Sequence, residues 1–160
     1  MNAVAVDLDA LGETRPLWED FLADAARRFA SIAALDPEAL PRDRGAAAGE
    51  LDRWAEAGIG DWRAALERFA EDRAPVYLRP SAEASAALRG LGRAGFRIGV
   101  FTDAPEPLAR VALAHLGAAR HVERVETGDG ARERLVAHFG GTVAVAETLA
   151  DLAKISGDAS

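Results

Sequence analysis

The fold predicted from this sequence follows from the stretch AVAVDLD at residues 3–9. Four apolar residues lead into Asp7, and a second acid, Asp9, follows two positions later. A short apolar run that ends in acids is typical of a buried parallel strand whose carboxyl end carries polar side chains into a loop. Considered alone, the two acids fit a functional site and an ordinary strand-end turn equally well.

After this strand the sequence predicts only helices. Apolar side chains recur at three- and four-residue spacing from Pro16 to about Leu35, which indicates an amphipathic helix with the proline in its first turn. Helical patterning returns over about 46–57, and Asp61 is placed to cap a further helix that ends near residue 72. No strand is predicted in this segment.

Beyond Pro80 the pattern alternates between helix and strand. Further strands are predicted at 96–101, 121–126 and 142–146. Such alternation implies right-handed crossovers and a parallel sheet. The predicted fold class is therefore α/β, with a Rossmann-like parallel-sheet core at residues 1–14 and 76–160 and an all-helical insertion at 15–75, after the first strand.

Composition and charge exclude several classes of function. The 160 residues carry a formal net charge of −7, and Lys154 is the only lysine beside 18 arginines, which are interleaved with acids. No basic stripe for nucleic acid or for an anionic membrane is therefore predicted. The absence of cysteine excludes disulfides, thiolate metal sites and cysteine nucleophiles, and it fits a reducing compartment. Because the sequence shows neither a signal-like leader nor a long apolar run, we expect a soluble cytoplasmic protein, whose oligomeric state the sequence leaves unknown.

Polar and acidic side chains follow three of the four predicted strands at their carboxyl ends. They are Asp7 and Asp9, Thr102 and Asp103, and Glu147 and Asp151. In an open α/β sheet these strand ends meet at one edge, where ligands bind. Paired carboxylates there can hold a hard cation such as Mg²⁺, while one carboxylate acts as a nucleophile and a neighbour acts as general acid and base.

In their order along the chain, these segments resemble the motifs of the haloacid dehalogenase-like (HAD) superfamily. Residues 7–15, DLDALGETR, resemble the first motif, which is DxDGT or DxDGV after a strand. Residues 101–105, FTDAP, resemble the second motif, and residues 146–151, AETLAD, resemble the fourth. The helical insertion lies where many members of the superfamily carry a helical cap. The resemblance extends over nearly the whole chain and implies a Rossmann-like HAD core with a small helical cap.

The resemblance also implies a role for each matching residue. It implies that Asp7 attacks phosphorus to form an aspartyl-phosphate, and that Asp9 protonates the leaving group and then activates water. Thr102 is expected to hydrogen-bond the transferred phosphoryl group. Mg²⁺ is expected to be held by Asp7, by the backbone carbonyl of Asp9, and by Glu147 or Asp151 of the fourth motif. For Glu147 and Asp151, an ordinary role as first-turn acids near the positive end of a helix is the alternative.

Three further residues are expected to contact the substrate. Asp103 belongs to the second motif, Arg15 lies at the junction with the insertion, and Trp18 lies in the first predicted helix of the insertion. For Trp18, packing in the helical core is the alternative, because it falls on the apolar face of an amphipathic helix.

The third and fourth motifs diverge from the family pattern. The fourth motif has Glu147 where the family has aspartate, and the third normally supplies a lysine before the last strand, where this chain has none. Arg132, with Arg134 nearby, is the candidate replacement for that lysine as a catalytic cation, and solvated helix residues are the alternative for both arginines. A guanidinium group is not interchangeable with an ammonium group, so the replacement changes the geometry of the site.

Two main functional hypotheses follow. The leading one is a Mg²⁺-dependent HAD-like phosphatase that acts on a small phosphorylated metabolite through Asp7. The alternative is a catalytically degenerate HAD-like protein with a binding or regulatory role, which the divergent motifs favour. Hydrolytic dehalogenation by the same aspartate is less favoured, because that chemistry needs neither Asp9 nor a metal pair in the fourth motif.

Overall fold

Four parallel strands form the centre of the computed structural model, which describes residues 2–160. The strands are β1 (Ala3–Asp7), β2 (Arg97–Thr102), β3 (Arg124–Thr127) and β4 (Val143–Ala146). Their order across the sheet is β3-β2-β1-β4, so β1 is central, and its Ala3 pairs with Arg97 on one side and with Val143 on the other. The predicted α/β class with a parallel sheet is confirmed.

Seven helices pack around this sheet within residues 2–160. They are α1 (Arg15–Arg28), α2 (Arg44–Trp54), α3 (Trp62–Tyr77), α4 (Ala82–Arg93), α5 (Glu106–His115), α6 (Ala131–Phe139) and α7 (Leu149–Asp158). The first three lie after β1, where an all-helical insertion was expected, whereas α4 packs against α7 and β2. The expected boundary between residues 75 and 76 falls within α3, and Met1 of the expected core lies outside the described residues. The division into two domains stays a prediction.

The helical segment and the sheet share one hydrophobic core. Val4 and Val6 of β1 belong to the same buried apolar cluster as Trp18 of α1 and Leu66 of α3. Helix α3 also packs along α5, which follows β2. Because burial of apolar surface is the dominant stabilising term, we expect the helical segment and the sheet to stabilise each other.

Helix α6 approaches the other face of the sheet closely at Gly99 of β2. A Cβ atom at Gly99 would lie 2.6 Å from Leu135 Cδ1 and 2.9 Å from the ring of Phe139, so any larger residue here would displace these side chains. Ala5, Phe101, Ala131 and Leu135 form a second, smaller buried cluster on this face. This packing holds the first turn of α6 at the carboxyl edge of the sheet.

Two helix ends differ from the sequence prediction, and tertiary contacts explain both. Helix α1 ends at Arg28 instead of continuing to Leu35, because Phe29 packs edge-on against Trp54 and the indole N–H of Trp54 donates to the carbonyl of Ala33 at 3.1 Å. Helix α3 continues past residue 72, through a proline, to Tyr77. The hydroxyl of Tyr77 donates to an α1 carboxylate at 2.6 Å and ties this last turn to α1.

The third strand is shorter than predicted. Residues 119–121 form a 3₁₀ turn, and the strand begins only at Arg124. Within residues 2–160, no helix combines the length and the apolar character needed to cross a membrane.

Candidate functional site

Five of the predicted site residues line one pocket of about 220 Å³ at the carboxyl edge of the sheet. They are Asp7, Asp9, Thr102, Asp103 and Arg132. The other walls of this pocket, hereafter the Asp7 pocket, come from Asp43, from Phe101 and from the segment 128–133, which joins β3 to α6. The polar residues at the ends of β1 and β2 therefore lie together, and the expected insertion contributes one wall through Asp43.

Asp7 is the half-buried last residue of β1. Its Oδ1 accepts a hydrogen bond of 2.9 Å from the backbone N–H of Asp9, because the chain turns into a 3₁₀ helix over Leu8–Ala10. Burial raises the pKa of Asp7, and the negative charges of Asp9 and Asp103 raise it further, against lowering effects of the Asp9 hydrogen bond and of Arg44. A cation or a hydrogen-bond donor beside Asp7 would therefore stabilise its charged form.

Thr102 is the last residue of β2 and is buried. Its Oγ1 accepts a hydrogen bond of 3.1 Å from the backbone N–H of Ala104. The carbonyl of Thr102 accepts a hydrogen bond of 2.9 Å from the N–H of Gly128, which fastens the loop after β3 to the end of β2. Since a hydroxyl group both accepts and donates, Thr102 retains one proton that it can donate towards the pocket.

The sequence analysis missed Arg44, the first residue of α2, whose side chain is only 1% exposed. Arg44 Nε and Nη2 each lie 2.9 Å from Asp103 Oδ1, and the backbone N–H of Arg44 donates to Asp103 Oδ2 at 2.9 Å. Arg44 Nη1 donates to the hydroxyl of the buried Thr14 at 2.6 Å. Nothing local to Arg44 signals this pairing, because its partner lies 59 residues away in the chain.

Asp103, expected to contact substrate, lines the Asp7 pocket and makes its hydrogen bonds to Arg44. Its side chain is 29% exposed, and Arg15 also approaches its Oδ2 at 3.7 Å. Burial alone would raise the pKa of Asp103, but the hydrogen bonds and the charge of Arg44, with the charge of Arg15, outweigh burial and lower it. Two of the three expected substrate contacts are thus engaged with each other inside the protein.

The third expected substrate contact, Trp18, is a core residue. It is 2% exposed and packs between Phe21 and Trp62, with ring centroids 6.0 and 6.4 Å away. Its position on the buried face of α1 keeps it out of the Asp7 pocket, whose lining does not include it. Trp18 therefore packs in the core, which is the alternative that the sequence left open.

Two of the four expected Mg²⁺ ligands line the Asp7 pocket. Asp7 and Asp9 line the pocket, but Glu147 forms an ion pair with Arg132. Asp151 Oδ2 accepts the backbone N–H groups of Glu147 and Thr148, at 3.0 and 3.1 Å, in the capping box of α7.

These two acids of the fourth motif are therefore already satisfied by a guanidinium group and by a helix N-terminus. Hydrogen bonds from those backbone N–H groups lower the pKa of Asp151, so its charge is stabilised where it stands. Within residues 2–160, no group of three or more histidine or acidic side chains has the arrangement to hold a metal ion. Of the expected Mg²⁺ ligands, Asp7 and Asp9 therefore lie in the pocket lining and Glu147 and Asp151 do not.

Arg132 and Arg134, the two candidate cations, differ in their relation to the Asp7 pocket. Arg132 is the second residue of α6, it lines the Asp7 pocket, and its Nη1 donates to Glu147. The neighbouring candidate Arg134 lies outside the lining and binds Glu126 and the carbonyl of Thr127. Of the two arginines, only Arg132 is placed to meet a ligand in the pocket.

Comparison with known proteins gives a match of structure only. No family model matches the sequence, and no curated protein matches it. A crystal structure from Thermotoga maritima, of a protein provisionally named a beta-phosphoglucomutase, superposes with a TM-score of 0.57 over 98% of this chain and 82% of that chain. The chain has a HAD-like fold. Sequence identity is 17%, so the likeness shows the fold and assigns no role to any residue.

Proposed function

We propose that this HAD-like chain is a hydrolase that removes the phosphoryl group from a small phosphorylated metabolite, with Asp7 as the nucleophile. The observation that carries the proposal is the Asp7 pocket itself. It gathers a strand-end carboxylate, a second carboxylate, a buried hydroxyl and an arginine, in Asp7, Asp9, Thr102 and Arg132. Its volume of about 220 Å³ is below the roughly 300–1,000 Å³ of typical ligand pockets, which favours a small substrate.

The geometry supports a double displacement. The N–H of Asp9 holds Oδ1 of Asp7, which leaves Oδ2 to attack phosphorus. A bond forms between Asp7 and phosphorus and the ester bond breaks. Asp9 enters this step with a proton taken up from solvent as the phosphate group binds, and it gives that proton to the leaving oxygen. Asp9, now a carboxylate, takes a proton from a water molecule as the water oxygen attacks phosphorus. The bond between Asp7 and phosphorus then breaks, which releases phosphate and restores the Asp7 carboxylate. Thr102 donates its hydroxyl proton to a phosphoryl oxygen.

The positive charge in this scheme comes from Arg132. A phosphate ester beside Asp7 adds negative charge to a pocket that already raises the pKa of that carboxyl by burial. A guanidinium group presents several N–H donors in a planar fork and is suited to phosphate oxygens. Glu147, an expected Mg²⁺ ligand, is paired with Arg132, and Asp151 caps α7, so the steps of this scheme are carried by side chains of the pocket.

The second candidate is a HAD-like binding or regulatory protein without turnover. One observation favours it, namely that the charged groups around the Asp7 pocket are paired within the protein, Arg44 with Asp103 and Arg132 with Glu147. Such a protein would bind a phosphate group and leave its ester bond intact. Binding without hydrolysis therefore separates the two candidates.

Hydrolysis of an aryl phosphate tests the proposal, in the presence of Mg²⁺ and in the presence of EDTA. Asp7→Asn keeps the shape of the side chain and removes the nucleophile, so activity should fall at least about 100-fold. The matched control is Asp158→Asn, an exposed residue of α7 near the opposite edge of the sheet. Equal activity in Asp7→Asn and the unaltered protein would refute the role of Asp7, and phosphate binding without any turnover would establish the second candidate.

A further inference from the structure

Arg44 is a buried charge that the proposed chemistry does not use. Its side chain is 1% exposed, and it stands at the first residue of α2, next to Asp43 in the wall of the Asp7 pocket. Transfer of a guanidinium group out of water is unfavourable unless hydrogen bonds and an opposite charge compensate it. The contacts of Arg44 must therefore compensate the cost of burying its charge.

Arg44 engages both carboxylate oxygens of Asp103. Nε and Nη2 contact Oδ1, and the backbone N–H contacts Oδ2, each at 2.9 Å. These three contacts fix the orientation of the carboxylate, and the guanidinium cancels its charge at close range. The remaining nitrogen, Nη1, donates to the hydroxyl of Thr14 at 2.6 Å, so every nitrogen of the guanidinium group has a partner within the protein.

Asp103 needs this cancellation because it lines the same pocket as Asp7. Its negative charge raises the pKa of Asp7, whose largest perturbation is burial, and Arg44 acts on Asp7 in the opposite direction. A phosphate group in the Asp7 pocket would meet the same two charges. Without Arg44, it would lie beside an uncompensated carboxylate, in surroundings that screen charge less well than water.

A second, independent contact holds this end of α2 in place. A Cβ atom at Gly45 would lie 2.7 Å from the backbone nitrogen of Asp129 and 3.2 Å from the carbonyl carbon of Gly128. The helix end is therefore packed directly on the loop that forms another wall of the pocket. Four residues further along the same helix, Gly49 has no neighbour within 4 Å of such an atom.

We propose that Arg44 is a positioning residue of the Asp7 pocket, which cancels and orients Asp103 so that a phosphate group can lie beside Asp7. Arg44 acts through Asp103 and does not itself touch the substrate. The inference rests on the proposed function, because it requires that the pocket accept a phosphate group.

Inorganic phosphate, titrated calorimetrically into the purified protein, tests this role directly. Arg44→Met leaves Asp103 uncompensated and should weaken phosphate binding about tenfold or more, which is about 1.4 kcal/mol or more. The double variant Arg44→Met with Asp103→Asn removes the charge that needed cancelling, so most of the affinity should return. Arg42→Met is the matched control, since Arg42 is exposed two residues earlier and should bind phosphate as the unaltered protein does.

Asp103→Asn alone keeps the proposal testable if Arg44→Met does not fold. This variant frees the charge of Arg44 from its partner, so phosphate should bind about threefold or more tightly than to the unaltered protein. A merely structural ion pair would alter the thermal stability of these variants and leave the phosphate affinity of the folded protein unchanged.

Three results are decisive. Unchanged affinity in Arg44→Met, or weaker binding in Asp103→Asn, overturns the role of Arg44 while the proposed function stands. An unaltered protein that binds no phosphate overturns the proposed function, and the role of Arg44 falls with it. Tenfold loss with recovery in the double variant supports both.

Discussion

Replacement of Gly45 by alanine probes the packing of α2 on the sheet with a single methyl group. The added carbon would lie 2.7 Å from the backbone nitrogen of Asp129 and 3.1 Å from Oδ1 of Asp43. Neither backbone nor capping side chain can move away freely, so the overpacking should cost about 1–3 kcal/mol. Higher helix propensity of alanine returns at most about 1 kcal/mol. We expect Gly45→Ala to lower the free energy of unfolding by about 1–2 kcal/mol.

Gly49→Ala is the same chemical change in the same helix without the contact. Nothing lies within 4 Å of its added carbon, so it should stabilise the protein by about 0.5–1 kcal/mol through helix propensity alone. In a protein of this length the two variants should differ in melting temperature by about 5–10 °C, measured by circular dichroism. Equal stabilisation by both alanines would refute the packing of α2 on the loop after β3.

Two other expectations concern stability. Gly99→Ala places a methyl group 2.6 Å from Leu135 Cδ1 and should lower the free energy of unfolding in urea by about 1–3 kcal/mol; an unchanged urea midpoint would contradict the close approach of α6. Burial alone would raise the pKa of Asp103, but the hydrogen bonds and the charge of Arg44 outweigh burial and lower it in the folded protein. The ionised carboxylate therefore stabilises the folded state above about pH 4, and this stabilisation is lost as the pH falls through the lowered pKa. The stability difference between the unaltered protein and Asp103→Asn, measured in urea at pH 6 and at successively lower pH, should therefore shrink below about pH 4; a constant difference would contradict the ion pair.

The sheet could be predicted from the sequence because its signals are local. The buried run at residues 3–7 contains few polar groups, and a buried parallel strand requires that composition. Acids and a threonine at the strand ends then indicated which edge carries the site, and Asp7, Asp9 and Thr102 do line one pocket there. Patterns over a few residues were sufficient for these features.

The features that sequence reasoning missed or left open are those for which a local pattern permits more than one role. Arg44 follows a run of charged residues typical of an exposed loop, and only the folded chain shows its pairing with Asp103. Asp151 matched a metal-ligand position, yet in a first helical turn the same carboxylate can also cap the helix, as it does here. Trp18 was ambiguous, because one apolar face of a helix can line a pocket or a core.

The strand order of the sheet has a consequence for how the chain folds. The central strand, β1, precedes both of its partner strands in the chain, because its residue 3 pairs with residues 97 and 143. It is therefore synthesised before them. Until β4 is available, one hydrogen-bonding edge of this buried strand stays open, and open edges of that kind promote association between chains. Pairing across such sequence separations is slow, because loop closure precedes any gain from the contacts. During synthesis, β1 therefore lacks one of its two partner strands until residues 143–146 have been made, and the intervening helices can form before then.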